Sequence, residues 1–157
     1  MGFEPEGTDQ RECAASRNYI PLGEDSDLAP ETLEDLHIAR LHRANLLLVG
    51  GHAATGAILE LLGLSSGEPV TSWRPRQPLE LPPPSRPTTL ILHDVDQLTA
   101  AAQAAVLRWL DNSSGQVWVV STTTEPLWPH VDAGSFDEVL YYRLNTVCLY
   151  ATATEDD

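Results

Sequence analysis

Apolar and polar residues fall in blocks along the chain, and the spacing changes from block to block. Residues 1 to 29 carry no period; they are polar and acidic, and they are expected to form a disordered arm outside the fold. From Pro30, the run Glu31-Thr-Leu-Glu-Asp-Leu-His-Ile-Ala-Arg-Leu41 predicts a helix. Its acids lie in the first turns and Arg40, His42 and Arg43 near its end, as the helix dipole favours. Leu33, Leu36, His37 and Leu41 are expected to share one face. Asn45-Leu-Leu-Leu-Val-Gly50 is a continuous apolar run stopped by Gly50-Gly51, the pattern of a strand covered on both sides. Ala53 to Leu62 then reads as a helix, with Gly63 placed to end it.

Pro69 to Trp73 has the makings of a second strand. Residues 74 to 87 hold prolines at 75, 78, 82, 83, 84 and 87, which excludes a regular helix or a central strand. Thr88 to His93 is the next buried strand. Thr99 caps a helix in which Ala102, Ala105, Val106, Trp109 and Leu110 fall together. Asp111-Asn-Ser-Ser-Gly115 ends that helix, and Gln116 to Ser121 follows as a strand. A last helix around Phe136 to Leu144 leads into a strand at Thr146 to Tyr150. Alternation of strand and helix implies a three-layer α/β domain over residues 30 to 151, with a mostly parallel five-stranded sheet and an acidic tail at 152 to 157. The four tryptophans, at 73, 109, 118 and 128, are expected in the core.

Charge narrows the partners. The 157 residues carry a formal net charge of −14, and both ends are acidic, so direct contact with a nucleic-acid backbone is not expected. All nine basic residues are arginine. Without lysine there is no Schiff-base chemistry and no P-loop ammonium, and arginine's planar fork does not replace a compact point charge. Cys13 and Cys148 lack any CxxC or metal-type spacing, so reduced thiols in a cytoplasmic protein are expected. The start, Met-Gly-Phe-Glu-Pro-Glu, is not read as a secretory signal, and no apolar run is long enough to span a membrane. The five histidines, at 37, 42, 52, 93 and 130, have no mutual metal spacing.

The strand, glycine turn and helix at 45–62, then Thr89-Leu-Ile-Leu-His-Asp-Val-Asp-Gln-Leu98, then Ala102-Gln-Ala-Ala-Val-Leu-Arg-Trp-Leu110 resemble the AAA+ ATPase domain of bacterial sigma-54-dependent transcription activators. The most specific block is Gly134-Ser-Phe-Asp-Glu-Val-Leu-Tyr-Tyr-Arg-Leu-Asn145, similar to that family's Gly-x-Phe-Arg-x-Asp-Leu-Tyr-Tyr-Arg-Leu-Asn. The likeness covers residues 30 to 150. It implies a P-loop AAA+ core.

The departures from the family pattern govern the expected function. A working loop reads GxxxxGK[ST]; here the run is Gly51-His-Ala-Ala-Thr-Gly56-Ala57-Ile58. Ala57 and Ile58 stand where lysine and the Mg²⁺-binding hydroxyl belong, so the chain is not expected to be an enzyme. Gly51, Thr55, Gly56 and Asp94 are the vestigial nucleotide-binding candidates, a retained anion nest on one reading and a plain strand-to-helix turn on the other. His93-Asp94 replaces the family's Asp-Glu, and a slipped register would let Asp94 and Asp96 both serve. Thr124 stands nearest the sensor asparagine. Of the two arginines that the family presents to a neighbouring subunit, the first position is Asp137, while Arg143 remains, either for a subunit boundary or paired on its own helix to Asp137 or Glu138. The family's sigma-factor-contacting loop is replaced by the proline-rich stretch, and its lid and helix-turn-helix are not expected. The resemblance thus implies a non-catalytic regulatory module in transcription regulation. Its partner would be a protein, an intact AAA+ activator or another copy of itself. The competing expectation is a switch that binds ATP or ADP without hydrolysing it. No cofactor or metal is otherwise expected.

Overall fold

The computed structural model describes residues 19–22, 30–64, 69–83, 85–113 and 115–153. Six strands, β1 (Tyr19–Leu22), β2 (Leu46–Gly50), β3 (Val70–Trp73), β4 (Thr88–Leu92), β5 (Val117–Thr123) and β6 (Val147–Ala153), form one sheet in the order β1-β6-β2-β5-β4-β3. Every pairing is parallel. The helices are α1 (Pro30–His42), α2 (His52–Leu62), α3 (Ala100–Asp111), α4 (Trp128–Asp132) and α5 (Glu138–Leu144).

Period-two alternation in the strands divides the core. Leu47 and Val49 of β2 join Leu90, Leu92 and Val119 against Val106, Trp109, Trp128, Leu140 and Leu144 on one face. Leu46 and Leu48 join Ile91, Trp118 and Val120 against Leu36, Ala39, Ile58 and Leu62 on the other. All four tryptophans are buried. Gly50 is required at the end of β2, because a Cβ there would stand 2.1 Å from the Ala151 carbonyl oxygen of β6. Thr99 caps α3 by accepting from the Ala102 N–H, and Gly63, at φ 57°, ends α2 in the left-handed region.

Three expectations need correction. The arm at 1–29, expected to be disordered, contributes an edge strand: Tyr19–Leu22 pairs with Tyr150–Ala153, joining the five parallel strands that were expected, and β6 runs past residue 151. Four residues among polar neighbours carry no readable pattern; the open edge of β6 supplies the partner that the local sequence does not announce. The rest of the arm and residues 154–157 lie outside the described residues. On α1, His37 and Leu41 are exposed, and the buried pair is Leu36 and Ala39. Cys148 is disulfide-bonded, against the expected reduced thiol. Sequence spacing sees only local cysteine pairs.

One polar side chain holds the α3–α5 layer in register. Gln103, 4% exposed, donates through Nε2 to the Leu98 carbonyl at 2.9 Å and the Ser135 carbonyl at 3.1 Å. Its Oε1 accepts from the Asp137 N–H at 2.8 Å. Asp137 in turn caps α5, its Oδ1 accepting from Val139 and Leu140 N–H groups. Replacing Gln103 with leucine leaves three backbone groups without their partner, so the Gln103→Leu variant should lose about 2–3 kcal/mol in urea unfolding with an unchanged m-value.

Candidate functional site

The carboxyl ends of β2, β4 and β5 face a common cleft, where ligands gather in parallel sheets. Its lining includes His52, Arg76, Asp94, Asp96, Gln97 and Thr124 around about 590 Å³. The sheet therefore brings together three of the positions flagged by sequence, Asp94, Asp96 and Thr124, and adds His52 and Arg76, which sequence reasoning passed over.

The glycine turn runs directly into a helix. Helix α2 begins at His52, directly after Gly51, and the Thr55 N–H already donates to the Gly51 carbonyl at 3.0 Å. A phosphate nest needs consecutive N–H groups left outside the helix and converging on an anion. Here the stretch from His52 to Gly56 is helical, and the turn after β2 is a helix N-terminus. Thr55 is buried, and its hydroxyl contacts the carbonyls of Gly51 and His52 at 3.2 and 3.3 Å. Gly56 lies inside the helix. Ile58 is fully buried beside Leu46, Leu48 and Trp118, so the position where a Mg²⁺-binding hydroxyl would stand faces hydrocarbon. These residues do not fit a Mg²⁺–nucleotide.

The cleft holds an internal pair. His52 Nε2 lies 2.9 Å from Asp94 Oδ1, joining the start of α2 to the turn after β4. The His52 side chain is 73% exposed and that of Asp94 24%. Asp94 takes the left-handed conformation, φ 52°, and its N–H donates to Thr122 Oγ1. Asp96 accepts from the Thr123 hydroxyl through Oδ1 and from Gln97 Nε2 through Oδ2. Thr124 is exposed on the rim. Among the described residues, no three His, Cys, Asp or Glu side chains gather as a metal site.

His93, at the end of β4, is half-buried. Burial holds its imidazole below the ordinary value; Arg74 and, less strongly, His52 push the same way, and Asp94 offsets part of it.

Arg143 lies elsewhere. Its guanidinium contacts Asp111 Oδ1 at 2.5 Å, and neither Asp137 nor Glu138 on its own helix is its partner in that pair. Asp111 ends α3, a helix of 12 residues that starts near the cleft and runs back along the sheet for about 18 Å. The Arg143 carbonyl accepts from Asn45 Nδ2 at the amino end of β2. Arg143 is thus at the edge opposite the cleft and cannot serve the cleft of its own chain. Next to it on α5, Tyr141 is fully buried, while Val139 and Tyr142 are 58% and 50% exposed.

The sigma-54 interaction domain family matches residues 31–153. The chain belongs to that family. This sigma-54 interaction domain superposes on NtrX from Brucella abortus in complex with ADP with a TM-score of 0.60 at 17% identity, over 77% of this chain and 34% of that one. The same protein in complex with ATP gives 0.57 at 17% identity, over 77% and 37%. A T158V form of RuvB from Thermotoga maritima gives 0.56 at 12% identity, over 83% and 47%. The likeness establishes the P-loop AAA+ fold, and the chain spans about a third of the NtrX chain. No curated protein sequence matches it. Among the described residues, no helix is long and apolar enough to cross a membrane.

Two measurements follow from the geometry. A Cβ at Gly56 would meet nothing within 4 Å, and the residue is helical. Gly56→Ala should therefore stabilise the domain by about 0.5–1 kcal/mol, whereas a loop needing glycine there would be damaged. For His93 the folded value is depressed, so its contribution is complete above the unfolded value of about 6.5 and is lost as pH falls through the folded value. Thermal melts should show stability declining below that pH, with a shallower decline in His93→Gln.

Proposed function

We propose that this sigma-54 interaction domain is a non-catalytic regulatory module that acts through protein contacts in transcription regulation. The observation that carries the reading is the helical start of α2: His52 to Gly56 form helix directly after Gly51, followed by Ala57 and the buried Ile58. The absence of lysine from the whole sequence supports it, as does the His52–Asp94 pair across the cleft. A triphosphate would also meet the carboxylates of Asp94 and Asp96, with Arg76 as the guanidinium in the same lining and no lysine.

The partner on this reading is an intact AAA+ activator or another copy of the chain, met without direct nucleic-acid contact. The outer face of α5 suits such a contact. Val139 and Tyr142 are exposed one turn apart, and Arg143 beside them is held to Asp111 by a pair with both side chains well exposed, which costs little to exchange for an intermolecular one.

The other reading is a switch that binds ATP or ADP without hydrolysis. One observation favours it: the first-turn N–H groups of α2, with no side-chain cap, open beside a roomy cleft. A fluorescent ATP analogue titrated with and without Mg²⁺ separates the two. The protein-contact reading expects no saturation in the micromolar range and no phosphate release, and it expects Ala57→Lys to restore neither, since a lysine cannot rebuild the loop. Saturable micromolar binding lost in Asp94→Ala would favour the switch, and phosphate release by the unaltered chain would sink the non-catalytic reading.

A further inference from the structure

The proline-rich loop brings an arginine to the cleft in a strained backbone conformation. The Gln77 N–H donates to the Arg74 carbonyl at 3.1 Å, which closes a turn with Pro75 at its second position and Arg76, φ 76°, at its third. Such a turn favours glycine at the third position, because a side chain is crowded in the left-handed region. Two further bonds clamp it. The Arg74 N–H donates to Gln77 Oε1 at 3.2 Å, and the indole N–H of buried Trp73 donates to the Gln77 carbonyl at 2.9 Å. Strain of this kind persists where the surroundings over-determine it, and it collects at ligand sites.

The clamp fixes the position of a charge. Arg76 lines the cleft with Asp94, Asp96, Gln97 and Thr124. Among the described residues, no ion pair or side-chain hydrogen bond engages its guanidinium. The two carboxylates are oriented by other groups, Asp94 by His52 and Asp96 by the Thr123 hydroxyl and the Gln97 amide. Both keep spare acceptor capacity, since an ionised carboxylate offers about four lone-pair sites. Opposite charges therefore line one hollow of about 590 Å³ without meeting.

We propose that the cleft binds a small amino carboxylate, with its carboxylate on Arg76 and its ammonium on Asp94 and Asp96. The lining selects this class. A plain anion meets two carboxylates, and a plain cation meets a guanidinium. A ligand carrying both charges satisfies both walls through charge-assisted hydrogen bonds. Pro75 is the one apolar residue among those lining the hollow, so a long hydrocarbon tail finds no surface there and the ligand is polar throughout. Arg76 belongs to the proline-rich loop, outside the blocks that carry the family pattern. The inference goes beyond the protein-contact reading and does not rest on it.

Calorimetric titration of the full chain at neutral pH with the standard amino acids, β-alanine and γ-aminobutyrate tests it. At least one of them should bind saturably at or below millimolar concentration. The carboxamide and the N-acetyl derivative of that ligand each lack one charge, and each should bind about tenfold more weakly or worse. Arg76→Gly should lose the binding while melting cooperatively near the wild-type temperature, because glycine adopts the turn without strain. Absence of saturable binding by every member of the panel overturns the inference. So does binding that survives Arg76→Gly, or a derivative lacking one charge that binds as well as its parent. The ATP titration reads a different ligand, so its result decides the nucleotide question separately.

Discussion

The hydrogen bond from the Thr55 N–H to the Gly51 carbonyl fixes where α2 begins, and the character of the cleft follows from it. With the helix starting at His52, the backbone groups from Thr55 onward are turned along the helix axis and paired. The same geometry places Ile58 on the inner face of α2, inside the cluster with Leu46, Leu48 and Trp118. It also puts the His52 ring within reach of Asp94. A single choice of helix start thus sets both the packing of Ile58 and the contact between His52 and Asp94. The apolar positions of α2 reinforce that choice, because moving the start would pull Ile58 out of the core at a cost of about 1.5–3 kcal/mol.

Much of the layout was legible from the residues because long apolar runs and capping residues act locally. β2, β4 and β5 announce themselves as continuous hydrophobic stretches, Thr99 and Gly63 mark helix ends, and the Gly134–Asn145 block identifies the family. What escaped depends on contacts between distant segments. β1 is four residues long and owes its existence to the free edge of β6. Gln103 reads as one polar residue in an alanine-rich helix, yet it ties Leu98 to Ser135 and Asp137. The inner face of α1 was misplaced because its apolar residues cover two sides, and a periodic pattern cannot say which side meets the sheet.

The candidate site divides along the same line. Asp94, Asp96 and Thr124 follow strand ends and were found by position. His52 and Arg76 line the same cleft from a helix start and a proline-rich loop, and only the fold brings them there. Trp73 and Trp109 tie that loop down by donating to the carbonyls of Gln77 and Pro82. Leu79 and Leu81 pack partly against the core from the same segment. The prolines limit the conformations that this loop must give up on folding, so a few anchors suffice to hold Arg76 at the cleft.

The departures from the catalytic pattern are not left as defects. Asp137 stands where the family places an arginine, and as an acceptor it caps α5, a task that a donor-only guanidinium cannot perform. Thr55 satisfies its buried hydroxyl on the turn carbonyls, and Asp94 satisfies its carboxylate on His52. Random loss of catalytic residues would tend to strand polar groups in the interior, because each catalytic side chain had partners of its own. Among the described residues, one buried side-chain polar atom, Ser121 Oγ, lacks a partner. Agreement of this kind between local chemistry and the global fold is what a sequence maintained for folding displays. It argues for a fold kept intact, since a fragment drifting free of selection would accumulate unpaired groups faster than it acquired caps.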